Sequence, residues 1–232
     1  IFSLSGGSDG AVTVNGNNSG QSNVINGGSV TLAGRTVNVT GGAWSAQTLA
    51  STGTTTTLNG LDLTVVTENG LTIGNTVNLN LANARITAPN LNITPASLTI
   101  TGTDGAITTG SGDIAVNASG DVSIGGGTIT ANNIGLTAGN SLAISGGDLT
   151  AAATVTLAGG TINISGGAIE GQDVALSATD ITAAGSITAD SLVTTVDAEN
   201  GTLPVGGQVT VDNDLTFSSG KKTSIGGTIE AP

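Results

Sequence analysis

The residues that this sequence lacks exclude several classes of protein. Its 232 residues include no Cys, His, Met or Tyr, one Trp and two Phe, and charged residues make up 9% of the chain. Without Cys there is neither a disulfide scaffold nor a thiolate metal site. Without His and Cys, nucleophilic triads of the usual form are excluded as well. We therefore expect no cofactor and no enzyme of those kinds.

The charge balance is strongly one-sided. Sixteen carboxylates stand against Arg35, Arg85, Lys221 and Lys222, which gives a formal net charge of −12. Affinity for nucleic-acid phosphates and for anionic lipid surfaces depends on Lys and Arg, so neither is an expected partner. No apolar run approaches the roughly 18 residues of a membrane helix, and we expect no membrane insertion.

The abundant residues favour strands and turns. Thr, Val and Ile are typical of β-strands, and 38 Gly together with many Asn supply turns. No long window places apolar residues at i, i+3, i+4 and i+7, which an amphipathic helix requires. The composition therefore predicts an all-β protein.

Glycine pairs recur at a fixed period in the C-terminal half. Gly126-Gly127, Gly146-Gly147 and Gly166-Gly167 are evenly spaced, and an aliphatic residue follows each pair. Gly206-Gly207 and Gly226-Gly227 occupy the same position in later repeats, two and three periods after Gly166-Gly167. A fixed period of about 20 residues is the sequence signature of a stacked repeat architecture.

One period contains three short apolar alternations. In residues 134–153, read IGLTAGNSLAISGGDLTAAA, the aliphatic positions are Ile134 and Leu136, then Leu142 and Ile144, then Leu149. Three short strands in about 20 residues match one coil of a parallel β-helix, whose equivalent strands stack roughly 4.8 Å apart. The general rule for parallel connections predicts a right-handed coil. A pair of antiparallel β-sandwiches is the alternative, but sandwiches rarely keep such a phase.

The alternation extends over the whole chain with two breaks. We expect residues 1–232 to form a single β-helix segment, with loop excursions near residues 45–60 and 193–204. Because the sequence starts at Ile1 and contains no Met, we also expect it to be a piece of a longer or processed product.

Residues 134–151, supported by residues 114–131 and 155–171, resemble the repeats of filamentous-haemagglutinin-type adhesins. This family belongs to bacterial two-partner secretion. The resemblance implies a right-handed parallel β-helix, export through an outer-membrane pore partner, and a secreted or cell-surface location. It implies a structural shaft or passenger that presents or carries sites for a receptor or glycan on a host or neighbouring cell. Unpaired strands at the ends of a β-helix make end-to-end self-association a further expectation.

Paired carboxylates leave a second function open, a polysaccharide-active or carbohydrate-binding β-helix protein. Glycosidase chemistry needs two carboxylates about 5 to 10 Å apart, and residues two apart on a strand share one face. Asp197 with Glu199 and Asp212 with Asp214 have that spacing. The same four residues are the candidate ligands of a loop calcium ion, although solvated charge in a turn explains them more simply. We predict no catalytic residue and no resident metal.

Five Asn-x-Ser/Thr sequences are candidate glycosylation sites. A chain this rich in Asn, Ser and Thr produces several of them by chance. The five residues are Asn17, Asn38, Asn92, Asn117 and Asn163.

Overall fold

The computed structural model describes residues 2–6, 10–15, 24–26, 28–196, 208–219 and 228–230. This part of the chain is all-β, as predicted, and contains no helix. Its strands, in chain order, are β1 (Phe2–Ser5), β2 (Ala11–Asn15), β3 (Val24–Asn26), β4 (Ser29–Thr40), β5 (Ala43–Ala46), β6 (Thr48–Asn59), β7 (Asp62–Val65), β8 (Leu71–Ile73), β9 (Asn78–Ala82), β10 (Arg85–Thr87), β11 (Leu91–Ile93), β12 (Ser97–Thr101), β13 (Ala106–Thr108), β14 (Ile114–Ala118), β15 (Val122–Ala138), β16 (Ser141–Ile164), β17 (Ala168–Ala183), β18 (Ser186–Val196), β19 (Gln208–Ser219) and β20 (Thr228–Glu230).

The strands wind into a parallel β-solenoid of about 9 turns with roughly 20 residues per coil. Ile134, for example, pairs in parallel with Ile114 of the preceding coil and with Val155 of the following one. At about 4.8 Å per coil, the stack is a rod on the order of 40 Å long. The predicted parallel β-helix is confirmed, and its right-handedness stays a prediction.

Each coil contributes one segment to each of three stacks, which we call face 1, face 2 and face 3. In three successive coils, face 1 contains residues 114–118, 134–138 and 154–158, face 2 contains residues 122–124, 142–144 and 162–164, and face 3 contains residues 128–130, 148–150 and 168–170. The longest strands turn from one face to the next without leaving the strand conformation.

Alternation of side chains fills the interior of the solenoid. In β12, Leu98 and Ile100 are buried while Thr99 between them faces outward. Leu98 lies between Leu79 and Val122 of the adjacent coils, so equivalent aliphatic side chains form columns along the axis. Burying one such side chain is worth about 1.5–3 kcal/mol. Because a single coil cannot bury its own apolar positions, this stabilisation depends on the neighbouring coils.

The glycine pairs form the corner between face 2 and face 3. Gly147 has a φ of 85°, in the left-handed region, and so does its counterpart Gly127 one coil earlier with a φ of 80°. A Cβ atom on Gly147 would lie 2.7 Å from the carbonyl oxygen of Gly127. Both the backbone conformation and the close stacking therefore require glycine at this corner, which explains the period seen in the sequence.

Polar groups enter the interior at several places in the described part of the chain, including Thr109, whose hydroxyl donates to the carbonyl of Gly112 at 2.7 Å. Ser51 and Thr56 point inward from neighbouring faces of one coil, and their hydroxyl oxygens are 2.5 Å apart. Trp44 is the largest buried side chain, and its indole nitrogen is buried without a hydrogen-bond partner in the described part of the chain. The buried Thr194 hydroxyl is likewise unpaired there. Unpaired buried groups of this kind cost stability.

The loop excursion predicted for residues 45–60 is wrong. Residues 48–59 form β6, which pairs with β4 from Ser29↔Thr48 to Thr40↔Asn59 and follows the coil around one corner. The Thr-rich run hid the pattern because its inward positions include the hydroxyl residues Ser51 and Thr56 beside Leu49 and Leu58. Of the second predicted excursion, residues 193–196 belong to β18, and residues 197–204 lie outside the described part of the chain.

Candidate functional site: a groove on face 1

Only two of the four candidate calcium ligands lie in the described part of the chain. Asp212 and Asp214 are exposed on β19, and Asp197 and Glu199 lie outside the described residues. Among the residues that are described, no three Asp or Glu side chains are close enough to hold a metal ion. Calcium binding at these four residues stays a prediction.

The candidate glycosylation sites that are described all occupy outward positions on strands. Asn92, Asn117 and Asn163 are exposed, and Asn38 is half-buried. Asn17 lies outside the described residues. Modification of these side chains stays a prediction.

A groove lies on face 1 in the described part of the chain. Its volume is about 410 Å³, within the range of ligand pockets, about 300–1,000 Å³. It crosses three successive coils, and its wall and floor repeat from coil to coil. Its lining residues are Asp113, Ile114, Ala115, Asn133, Ile134, Gly135, Thr154 and Thr156.

Small residues form the floor of the groove. Ala115 pairs with Gly135, and Gly135 pairs with Thr156, so these three outward positions follow one another along the axis. Gly135 is not among the glycines with a positive φ. A Cβ atom there would come no closer than 3.8 Å to any atom outside its immediate neighbours, the nearest being the carbonyl oxygen of Ile114. The backbone therefore does not require glycine at this position, unlike at Gly147.

A ladder of side-chain hydrogen bonds holds the wall of the groove. The Asn133 amide nitrogen Nδ2 donates to Oδ1 of Asp113 at 2.8 Å, and the Asn133 backbone N–H donates to the same oxygen at 3.2 Å. The Thr154 backbone N–H donates to Oδ1 of Asn133, also at 3.2 Å. Asp113 itself donates its backbone N–H to Oδ1 of Asn90 at 2.7 Å. These bonds fix the Asn133 and Asp113 side chains before any ligand arrives.

The wall belongs to an acidic corner of the solenoid, between face 3 and face 1. Six exposed carboxylates lie along this corner, and the sequence from residue 86 to residue 196 contains no Lys or Arg. The groove therefore has a negative surrounding potential. The six are Glu68, Asp113, Asp173, Asp190, Asp212 and Asp214.

The groove was not predicted from the sequence. A signal for it exists in the strand IGLTA, where Gly135 takes an outward strand position that a β-branched residue would favour. A second signal is that Asn90, Asp113 and Asn133 follow one another at nearly the period of the glycine pairs. That spacing becomes meaningful only when the length of each coil is known.

The fold defines the chain as a parallel β-solenoid repeat protein. No protein-family model matches it, and no curated protein or solved structure shows significant similarity to it. The described part of the chain contains no helix that is long and apolar enough to cross a membrane.

Proposed function

We propose that this chain is a structural shaft segment of an exported bacterial adhesin of the filamentous-haemagglutinin type. One observation carries the proposal. Face 3 pairs coil by coil, always in parallel, from Ile25 in β3 to Ile229 in β20. A ladder that spans the sequence in this way makes the molecule a rod rather than a set of separate sheets.

The rod is suited to bearing load along its axis. Backbone hydrogen bonds between parallel strands lie across the strands, and in this solenoid that direction is the rod axis. Tension along the rod is therefore shared among the bonds of all three faces. Because each coil covers the edge of the coil before it, open strand edges arise only at the ends.

The outer surface is polar and carries charged side chains at a minority of its positions, and the stacking explains why. Two like charges 4.8 Å apart in water repel by roughly 1 kcal/mol, so a column of one charged residue would destabilise the stack. Asp113 is flanked along its corner by the neutral Asn90 and Asn133, and the exposed Asp62 has Arg85 as its register partner. Thr, Ser and Asn supply solubility without this repulsion.

The fold is compatible with export through a pore. Contacts join each coil to its neighbours, so the chain can fold coil by coil as it emerges, and no disulfide is needed. In this proposal the export partner is an outer-membrane pore, and the protein is secreted or held at the cell surface. Its distal partner is a receptor or glycan on a host or neighbouring cell, and no catalytic turnover is expected. Stacking of rods end to end is a further part of the proposal.

Export can be tested with the chain placed behind the secretion domain of a two-partner exoprotein and given a C-terminal epitope. In a strain that carries the matching pore, we expect the epitope to reach the outside and the solenoid to resist added protease. A strain without the pore is the control for leakage.

A second passenger separates export from folding. It lacks residues 134–144, about half a coil, so it cannot keep its strands in register. We expect this passenger to reach the surface but to be digested. Retention of the intact chain, in a strain that exports an unrelated passenger of equal length, would contradict the proposal. So would digestion of the exported intact chain.

A further inference from the structure

The groove on face 1 repeats its polar groups at the step of the coil. Asp113, Asn133 and Thr154 follow one another along the wall, one in each of three coils. Successive strands in a sheet are about 4.8 Å apart, so a ligand lying along the axis meets a polar side chain at the equivalent position of each coil.

The spacing of about 4.8 Å between successive coils distinguishes between kinds of linear ligand. An extended peptide rises 3.2–3.4 Å per residue, and side chains on one side of it recur about every 6.6 Å, which does not match the groove. The step of one monosaccharide along an extended glycan is close to the coil spacing. The groove therefore matches a sugar chain better than a peptide chain.

The chemistry of the lining also matches a sugar chain. Beyond the bonds of the ladder, the Asn133 amide keeps one N–H donor, and the Asp113 carboxylate keeps its second oxygen, Oδ2, as an acceptor. The hydroxyls of Thr154 and Thr156 have no hydrogen-bond partner among the described residues, so they are available to a ligand. Sugar hydroxyls are both donors and acceptors and can pair with all of these groups. With no cation in the lining and a negative corner beside it, a sulfated or carboxylated chain would be repelled.

The floor admits the apolar face of a sugar ring. Gly135 has no side chain, and Ala115 contributes only a methyl group. Glycine in a strand interior costs about 0.5–1 kcal/mol relative to Ala, and the backbone here does not require it. A strand glycine without a structural reason often marks the close approach of a ligand.

We propose that the face 1 groove binds an extended neutral glycan that lies along the rod axis. The groove rests on the proposed function in one respect, because an exported shaft meets such glycans on other cells. The shaft would then carry a binding site along its side as well as presenting one at its end.

The test measures binding of the full chain to arrayed neutral, amino-sugar and sulfated oligosaccharides, followed by titration of the glycans that bind. Gly135→Val is the decisive variant, because a Cβ fits the backbone there and its methyl groups would occupy the floor. Ala175→Val is the matched control, since Ala175 pairs with Thr156 on the same outward column but does not line the groove.

We expect saturable binding to neutral glycans, a loss of affinity of at least about tenfold in Gly135→Val, and no such loss in Ala175→Val. We expect the melting temperatures of both variants to be no lower than that of the unaltered chain, because Val favours strands. Thr156→Val, which removes one hydroxyl and keeps the shape, should weaken binding by a smaller factor.

Three results would overturn the proposal: no binding to any neutral glycan, binding only to sulfated chains, or equal binding by Gly135→Val and the unaltered chain. None of them bears on the export assay. A chain that is exported and resists protease but binds no glycan would refute the groove and leave the shaft in place. A chain that binds glycans but is retained in the cell would refute the exported shaft and leave the groove in place.

Discussion

The coils between residues 122 and 183 are far more regular than those between residues 43 and 113. In the later coils the strands are long, with 17 residues in β15, 24 in β16 and 16 in β17. In the earlier coils β6 has 12 residues, but β7 to β13 have only three to five residues each. The same columns of aliphatic residues nevertheless continue through both regions, so a regular core does not need regular corners.

The corners account for the difference. In the later coils Val122 pairs with Leu142, and the corner between face 2 and face 3 is a glycine pair. In the earlier coils the chain inserts short turns, such as the one in which the backbone N–H of Gly70 donates to the carbonyl of Thr67 at 3.1 Å. Insertions at a corner leave the inward positions in place, because the strand on either side resumes its alternation.

Removing one whole coil should have the largest effect of the changes that still leave a folded chain. Residues 134–154 are one coil, because Ile134 and Val155 are register partners. Their deletion joins Asn133 to Val155 and leaves the remaining strands of all three faces in register. We therefore expect a single unfolding transition at a lower denaturant concentration than for the unaltered chain. Urea unfolding followed by circular dichroism measures it.

The same deletion in the earlier region sharpens the comparison. Removing residues 71–90 takes away side-chain hydrogen bonds that join the corners of neighbouring coils. One of them is the bond from Asn90 Nδ2 to Glu68 Oε1 at 3.0 Å. We expect a larger loss of stability than for residues 134–154. Equal losses would mean that the irregular corners contribute nothing of their own.

Two glycines should respond in opposite ways to Ala. Gly147→Ala places a Cβ in the left-handed region and against the Gly127 carbonyl, which we expect to cost about 1–3 kcal/mol of unfolding free energy. Gly135→Ala has room for its methyl group and should gain about 0.4–1 kcal/mol. Equilibrium unfolding in urea measures both, and a loss at Gly135 as large as at Gly147 would show that the floor glycine is structural.

At the polar pair in the interior of the earlier coils, a single change should have an effect of the same size as Gly147→Ala. Thr56→Val alone leaves the buried Ser51 hydroxyl without its partner and should cost about 1–3 kcal/mol. The double change Ser51→Ala with Thr56→Val removes both groups and should cost less than the sum of the two single changes. Additive losses in the double-mutant cycle would indicate that the 2.5 Å contact between the two hydroxyls contributes little.

Much of the fold could be predicted from particular residues. The pairs Gly126-Gly127, Gly146-Gly147 and Gly166-Gly167 showed the coil length because left-handed corners tolerate little else. The alternation around Leu142 and Ile144 identified the inward positions. The run from residue 48 to residue 59 was misjudged, since Ser51 and Thr56 point inward where the pattern called for aliphatic residues.

The candidate site could not be predicted in the same way. Asp113, Asn133 and Thr154 look like ordinary polar residues in the sequence, and Gly135 looks like one more glycine among 38. They form a site because they occupy equivalent positions in successive coils and so lie next to one another along the rod axis. The sequence does not show this directly, because the coils differ in length. The coil that runs from Leu91 to its register partner Ile114 is longer than the next one, from Ile114 to Ile134.

The sequence by itself determined the all-β class, the length of the repeating coil and the aliphatic interior. These follow from alternation within a strand and from the backbone needs of glycine, both of which are local properties. The tertiary structure alone decided which outward side chains meet, where the groove lies, and that Gly135 has room while Gly147 has none. The reason is that neighbours across coils depend on how many residues each corner takes up, and only the folded stack sets that number.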